Sequence, residues 1–166
     1  MVEEIAQADR PERATPAGGA PVHIVPPGGG DELTRKGSRI RVKASARSSL
    51  GVLSCLETDD PAGYEARPHV HRASTEAFYV LSGLYAFLVG DEEVSCGPGS
   101  FVLVPSGSVH GYRVGNAGGS LLIIYVPAGI EQMFRDLGPD AGASLTDEQF
   151  GEIARRYDTE WVRRNR

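Results

Sequence analysis

Between Gly63 and Val114 this 166-residue chain carries three of its four histidines, at spacings that suit extended, folded-back backbone. His69 and His71 are two residues apart, so on a strand both imidazoles leave the same face. Glu76 follows after Arg72-Ala73-Ser74-Thr75, a short polar bend that lets the chain return. His110 arrives much later, at the head of another apolar strand. Three imidazoles and one carboxylate converging from two strand pairs suit a divalent transition metal with coordination positions left open. Iron, manganese, cobalt, nickel and zinc all accept that donor set, so the residues do not choose among them.

The rest of the composition agrees with a β-rich body. A hydrophobic fraction of 40% is that of a globular protein with a real core, and 21 Gly with 11 Pro supply the turns of an all-β fold. The length suits one domain. Net charge is −5, which argues against nucleic acid, because phosphate binding needs a basic face. No stretch approaches the roughly 20 apolar residues of a membrane span, and no charged n-region leads into an apolar run. A cytoplasmic location is the default expectation. Cys55 and Cys96 lie in apolar strand contexts and read as free buried thiols, with a disulfide between them as the alternative.

In chain order, residues 1–21 have no apolar period and read as a flexible N-terminal arm. Val22 to Val25 is a short strand candidate stopped by Pro26-Pro27 and Gly28-Gly29-Gly30, and His23 on it reads as an ordinary strand or surface histidine. Short β-segments follow at Ile40–Ala44 and Leu50–Glu57, then the strand carrying His69 and His71. Glu76–Leu81 and Tyr85–Val89 are expected as separate strands around a tight Ser82-Gly83 turn. Glu93–Ser95 returns after Gly90-Asp91, and Phe101–Val104 after Gly97-Pro98-Gly99. His110–Val114 is expected to end at Gly115-Asn116-Ala117-Gly118-Gly119, with Leu121–Val126 as a further, fully buried strand. Eight or more such strands predict a double-sheet jelly roll or small barrel over residues 22–127. In 128–166 the period becomes helical. Ile130, Phe134 and Leu137 mark one helix stopped by Gly138-Pro139. Thr146-Asp147-Glu148-Gln149 is a capping box opening a second, through Phe150, Ile153, Ala154 and Tyr157. Both are expected to pack on the outside of the barrel.

The motifs also carry a family resemblance. Gly63, five residues, His69-x-His71, four residues, Glu76, six residues and Gly83 resembles the first motif of the cupin superfamily, position for position. Gly99, five residues, Pro105-x-Gly107, two residues and His110 resembles the second, although its closing Asn is Val114 here and Asn116 comes two residues later. The resemblance implies an all-β, cupin-type double-stranded β-helix (a jelly-roll barrel) with two C-terminal helices, and His69, His71, Glu76 and His110 as metal ligands. The Asn is not a ligand in the family pattern, so its loss leaves that assignment standing. The entry strand, the glycine turn before Gly37, and the tail from Pro127 to Leu137-Gly138 are similar to single-domain quercetinase-like cupins, loosely covering residues 22–160. In that group the implied chemistry is metal-dependent dioxygenation of an aromatic enol such as a flavonol, with Glu76 as both ligand and base. Cupins commonly pair through edge strands, which implies a homodimer.

Strand alternation predicts the pocket around such a metal. If Glu76 points inward, so do Phe78 and Val80, and if His110 does, so does Tyr112. Such a wall is apolar and aromatic with one polar point, as small-molecule sites are. Tyr112 reads either as a ligand partner or as a core tyrosine, and Arg67 as a solvated surface residue. Three functions then compete. The first is a dioxygenase acting on a small aromatic or enolisable molecule with dioxygen. The second is an oxygen-independent isomerase, cyclase or lyase of secondary metabolism. The third is a non-catalytic small-molecule-binding protein. No DNA-binding helix pair precedes the barrel, which counts against a regulator.

Overall fold

The structure, a computed structural model, describes residues 21–90, 92–139 and 145–162; the arm expected over 1–21 lies, apart from Pro21, outside them. Nine strands and two helices follow in order among these residues: β1 (Asp31–Arg35), β2 (Ser38–Ala44), β3 (Ser54–Asp60), β4 (Glu65–His71), β5 (Thr75–Val89), β6 (Glu92–Cys96), β7 (Phe101–Val104), β8 (His110–Val126), α1 (Ile130–Leu137), α2 (Asp147–Arg156) and β9 (Thr159–Trp161). Every strand pair is antiparallel, and the sheet curls into a jelly-roll barrel. One path runs β1-β2-β3-β8-β4-β9, while β5 pairs with β8 on one edge and with β6 and β7 on the other.

The two long strands, β5 and β8, organise everything else. They pair from Thr75 opposite Val126 to Val89 opposite His110. The near half of β8 also binds β4 and the far half binds β3, so one strand serves both sides of the barrel. Alternation puts Phe78, Val80, Tyr85, Phe87, Leu121 and Ile123 inside, where they form the centre of a single core. Here the structure corrects the expected breaks. Ser82-Gly83 and Gly115–Gly119 are bends inside continuous strands, marked by register shifts beside Ser82 and Gly83. The two bends face each other: Gly83 has φ +84°, and a Cβ on it would lie 2.4 Å from the Gly118 carbonyl oxygen. Glycine lets both strands turn together without breaking the ladder.

Other boundaries also move. Val22–Val25 is not a strand, although His23 Nε2 lies 2.8 Å from the Lys43 carbonyl. Leu50 sits in a turn at φ 55°, and β3 runs on past the expected end at Glu57 through Thr58-Asp59-Asp60. That run stays extended because Asp60, buried at its end, accepts hydrogen bonds from Ser38 Oγ, Thr58 Oγ1 and Tyr85 Oη. Cys55 and Cys96 are free thiols, each half-buried.

The helices do more than coat the outer wall. α1 contributes Ile130, Met133 and Leu137 to the barrel's own core. It is tied down by buried Glu131, whose carboxylate accepts from the Ala46 N–H, from Ser54 Oγ and from the Gly129 N–H. α2 opens on the expected capping box between Thr146 and Gln149. Beyond it the chain returns to the sheet as β9, a strand too short to leave a sequence pattern, and pairs with β4.

Candidate metal centre

His69 and His110 are direct cross-strand partners on β4 and β8, and His71 lies one alternation further along β4. Glu76 is the second residue of β5, opposite Tyr125 of β8 and Val104 of β7. The Gly107 N–H donates to the His71 carbonyl at 2.7 Å, locking the turn before His110 onto the end of β4. The four side chains are all buried, and their ligand atoms lie within 4.8 Å of one another. Glu76 Oε2 is 2.7 Å from His110 Nε2, 3.2 Å from His71 Nε2 and 3.9 Å from His69 Nε2.

The other nitrogen of each ring shows what this cluster is built to hold. His69 Nδ1 lies 2.8 Å from the Arg67 carbonyl, His71 Nδ1 2.9 Å from the Asp158 carbonyl and His110 Nδ1 3.0 Å from the Ser108 carbonyl. A carbonyl only accepts, so each Nδ1 carries the proton and donates it. In the neutral rings every Nε2 is then a bare lone pair aimed at a carboxylate, and His71 Nε2 has no hydrogen-bond donor. Four acceptors crowded around one buried point repel one another unless a cation sits among them. Backbone carbonyls on the far nitrogens are also the arrangement that orients metal-bound histidines. The donor set therefore fits a single divalent metal ion.

Protonation behaviour is not uniform across the site. Burial pushes the His69 pKa down to about 4, so the ring is neutral and ligand-ready at pH 7. Burial also disfavours charge on Glu76, but contacts to His110 and His71 outweigh it and hold the carboxyl far below its usual range. His71 is the exception: burial lowers its pKa, but the Glu76 carboxylate beside it raises it by more, so a proton competes with the metal for this Nε2.

The centre opens on a cavity of about 60 Å³ lined by Tyr64, Tyr112, Tyr125, Met133 and Trp161, among others. Of the three residues expected beside the metal, Tyr112 lines this cavity, whereas Phe78 and Val80 point inward but are fully packed in the core behind it. Several neighbours left no mark in the sequence. The Trp161 ring lies 5.2 Å from that of His69, tilted at 52°, and Tyr125 meets His71 edge-on at 5.7 Å. Asp158 accepts from the backbone N–H groups of Arg72, Ala73 and Ser74, fixing the bend between His71 and Glu76.

A curled antiparallel barrel with a buried three-histidine, one-glutamate cluster defines a metal-binding cupin. Comparison with known proteins agrees. The profile of the cupin domain matches residues 55–126. The quercetin 2,3-dioxygenase of Bacillus subtilis (strain 168) is 30% identical over 120 residues, covering 72% of this chain. The chain spans only 36% of that relative's length. Among solved structures, an RmlC-like cupin from Shewanella frigidimarina NCIMB 400 aligns with a TM-score of 0.58 at 20% identity, over 67% of this chain and 96% of its own. Streptomyces Pac13, a nucleoside dehydratase, aligns at 0.54 and 16% identity, over 80% and 84%. This chain belongs to the cupin superfamily, and among cupins it resembles the quercetinase-like ones. Among the described residues no helix is long and apolar enough to cross a membrane.

Proposed function

We propose that this chain is a metal-dependent dioxygenase acting on a small aromatic or enolisable molecule. The observation that carries the reading is Glu76, a fully buried carboxylate facing three Nε2 lone pairs, in a chain 30% identical to a quercetin 2,3-dioxygenase over their shared length. A redox-active divalent ion held by His69, His71, Glu76 and His110 would supply Lewis acidity and a meeting point for substrate and oxygen. Glu76 is ionised at neutral pH, as a metal ligand must be, and it is the carboxylate placed to take the hydroxyl proton of the substrate. Tyr64, Tyr112 and Trp161 form aromatic walls that exclude water and hold a flat substrate by its faces. Benzene fills a cavity of roughly 150 Å³. With about 60 Å³ here, a ring-bearing substrate must extend toward the open side of the cavity or displace its walls.

Oxygen uptake by metal-loaded protein offered flavonols and smaller phenolic enols tests this reading. Uptake coupled to substrate loss is expected, falling by about 10²–10⁴-fold in Glu76→Gln. Undiminished turnover without oxygen would replace it with a lyase or isomerase, and saturable binding without turnover with a binding protein.

The chain is also proposed to act as a homodimer. Tyr79 and Leu81 of β5 and Phe101 and Leu103 of β7 all point outward and exposed, with Phe101 opposite Tyr79. β7 pairs only with β5 among the described residues. An apolar face beside an open edge needs cover, and a second copy supplies a matching one.

A further inference from the structure

β1 is exposed along most of its length, and its last residue is the exception: Arg35 is only 6% exposed. Taking a guanidinium out of water costs several kcal/mol unless an anion accompanies it. The other deeply buried arginine obeys this rule, since Arg41 at 7% exposure is bound by Glu57 and Asp59. Arg35 has no such partner among the described residues. Its guanidinium carbon sits 4.9 Å from the centre of the Phe150 ring of α2, which satisfies the face of the cation but not its N–H edge. Nη1 is buried with no hydrogen-bond acceptor.

Arg35 also lines the cavity of the metal centre, together with His69, His71 and Glu76. Exposed Lys36 and Arg67 line it as well, and its acids are Glu65 and the Glu76 of the cluster. Three cationic side chains against two acids leave this wall slightly positive in a chain of net charge −5. Such a wall draws anions in and raises their local concentration.

We propose that Arg35 is a substrate-recognition residue that binds an oxyanion, carboxylate or phosphate, carried by a molecule whose other end reaches the His69, His71, Glu76 and His110 cluster. The missing partner of the buried cation is then the substrate itself. An arginine suits the task because its planar fork binds either oxyanion with two parallel hydrogen bonds, which a lysine ammonium does not do. Burial lowers the Arg35 pKa, an unfavourable effect that a bound anion would relieve. This inference rests on the reading of the cavity as a small-molecule site, but not on oxygen being used.

The test compares the binding of benzoate, phenyl phosphate and neutral benzamide to metal-loaded protein by calorimetry. At least one of the two anions is expected to bind ten times or more tighter than benzamide, and their order tells carboxylate from phosphate. Arg35→Met should abolish the preference while leaving benzamide binding and the melting temperature unchanged or improved, and Arg35→Gln should do the same if the Met variant fails to fold. Equal binding of the three ligands, or no binding of any, would overturn the proposal. So would a preference that survives in both variants, because the anion would then be bound by the metal alone. Anion selectivity lost in Arg35→Met, in a protein that consumes no oxygen, would sink the dioxygenase reading and leave this one standing.

Discussion

Each site histidine presents Nε2 because a carbonyl holds its Nδ1, and for His71 that carbonyl belongs to Asp158, beyond α2. Asp158 sits at φ 57° and spends its side chain on the 72–74 bend, so one residue sets both the His71 ring and the return to Glu76. Asp158→Ala is predicted to weaken metal binding by about 10- to 100-fold with the four ligands intact, as loss of an orienting partner does. Asp158→Asn, which tolerates the same backbone conformation, should recover part of it in a competition titration against a chelating dye. A second residue gives a pH signature. Burial works against the charge on Asp59, but hydrogen bonds from Arg39, Arg41 and Ser120 prevail and bring its pKa down to about 2. A lowered folded-state pKa contributes stability above the unfolded value near 3.8 and loses it as pH falls through about 2. Asp59→Asn should therefore melt below the parent protein at pH 7, and the gap should close as pH falls toward 2. The ligands were legible because they lie close together in short motifs. Asp158, Trp161 and Arg35 were not, because their roles arise from contacts between segments far apart in the chain.

At the scale of elements, the paired bends of β5 and β8 carry the barrel's curvature. Glycine runs in a sequence read as turns, and here they read as strand ends. What decides between a turn and a bend is whether the two glycine sites face each other, which only the pairing of Gly83 with Gly119 reveals. Gly83→Ala combines a positive φ with a Cβ 2.4 Å from a carbonyl oxygen, so neither strand can relax alone. It is predicted to destabilise the fold by about 3 kcal/mol in urea unfolding, near the top of the range for single substitutions. The helices teach a related lesson. Their lengths and the Thr146 cap were readable from local pattern, whereas their placement depended on Glu131 meeting Ser54 and on β9 rejoining the sheet.

For the molecule as a whole, the barrel, its outer apolar face and its buried cluster form one arrangement. If a second copy covers the β5–β7 face, light scattering should give twice the chain mass. Placing charge there through Phe101→Glu with Leu103→Glu should yield a folded monomer, while a monomeric parent protein would remove the dimer from the account. The barrel class was visible in turn spacing and alternation, because a β-container repeats its local pattern. The strand bounds were not: β1 and β9 went unread, and β5 and β8 were each expected as two strands. The contents of its mouth were not, because they are assembled from β1, β4, α1 and β9 at once. The central claim is that four buried side chains hold one metal ion. Elemental analysis of untagged protein, dialysed after loading with a divalent transition metal, tests it most directly. One equivalent per chain is predicted, falling to near zero in the His69→Ala, His71→Ala, His110→Ala triple variant while circular dichroism still reports a β-fold. Equal metal in the parent and the folded triple variant, or none in either, would contradict it.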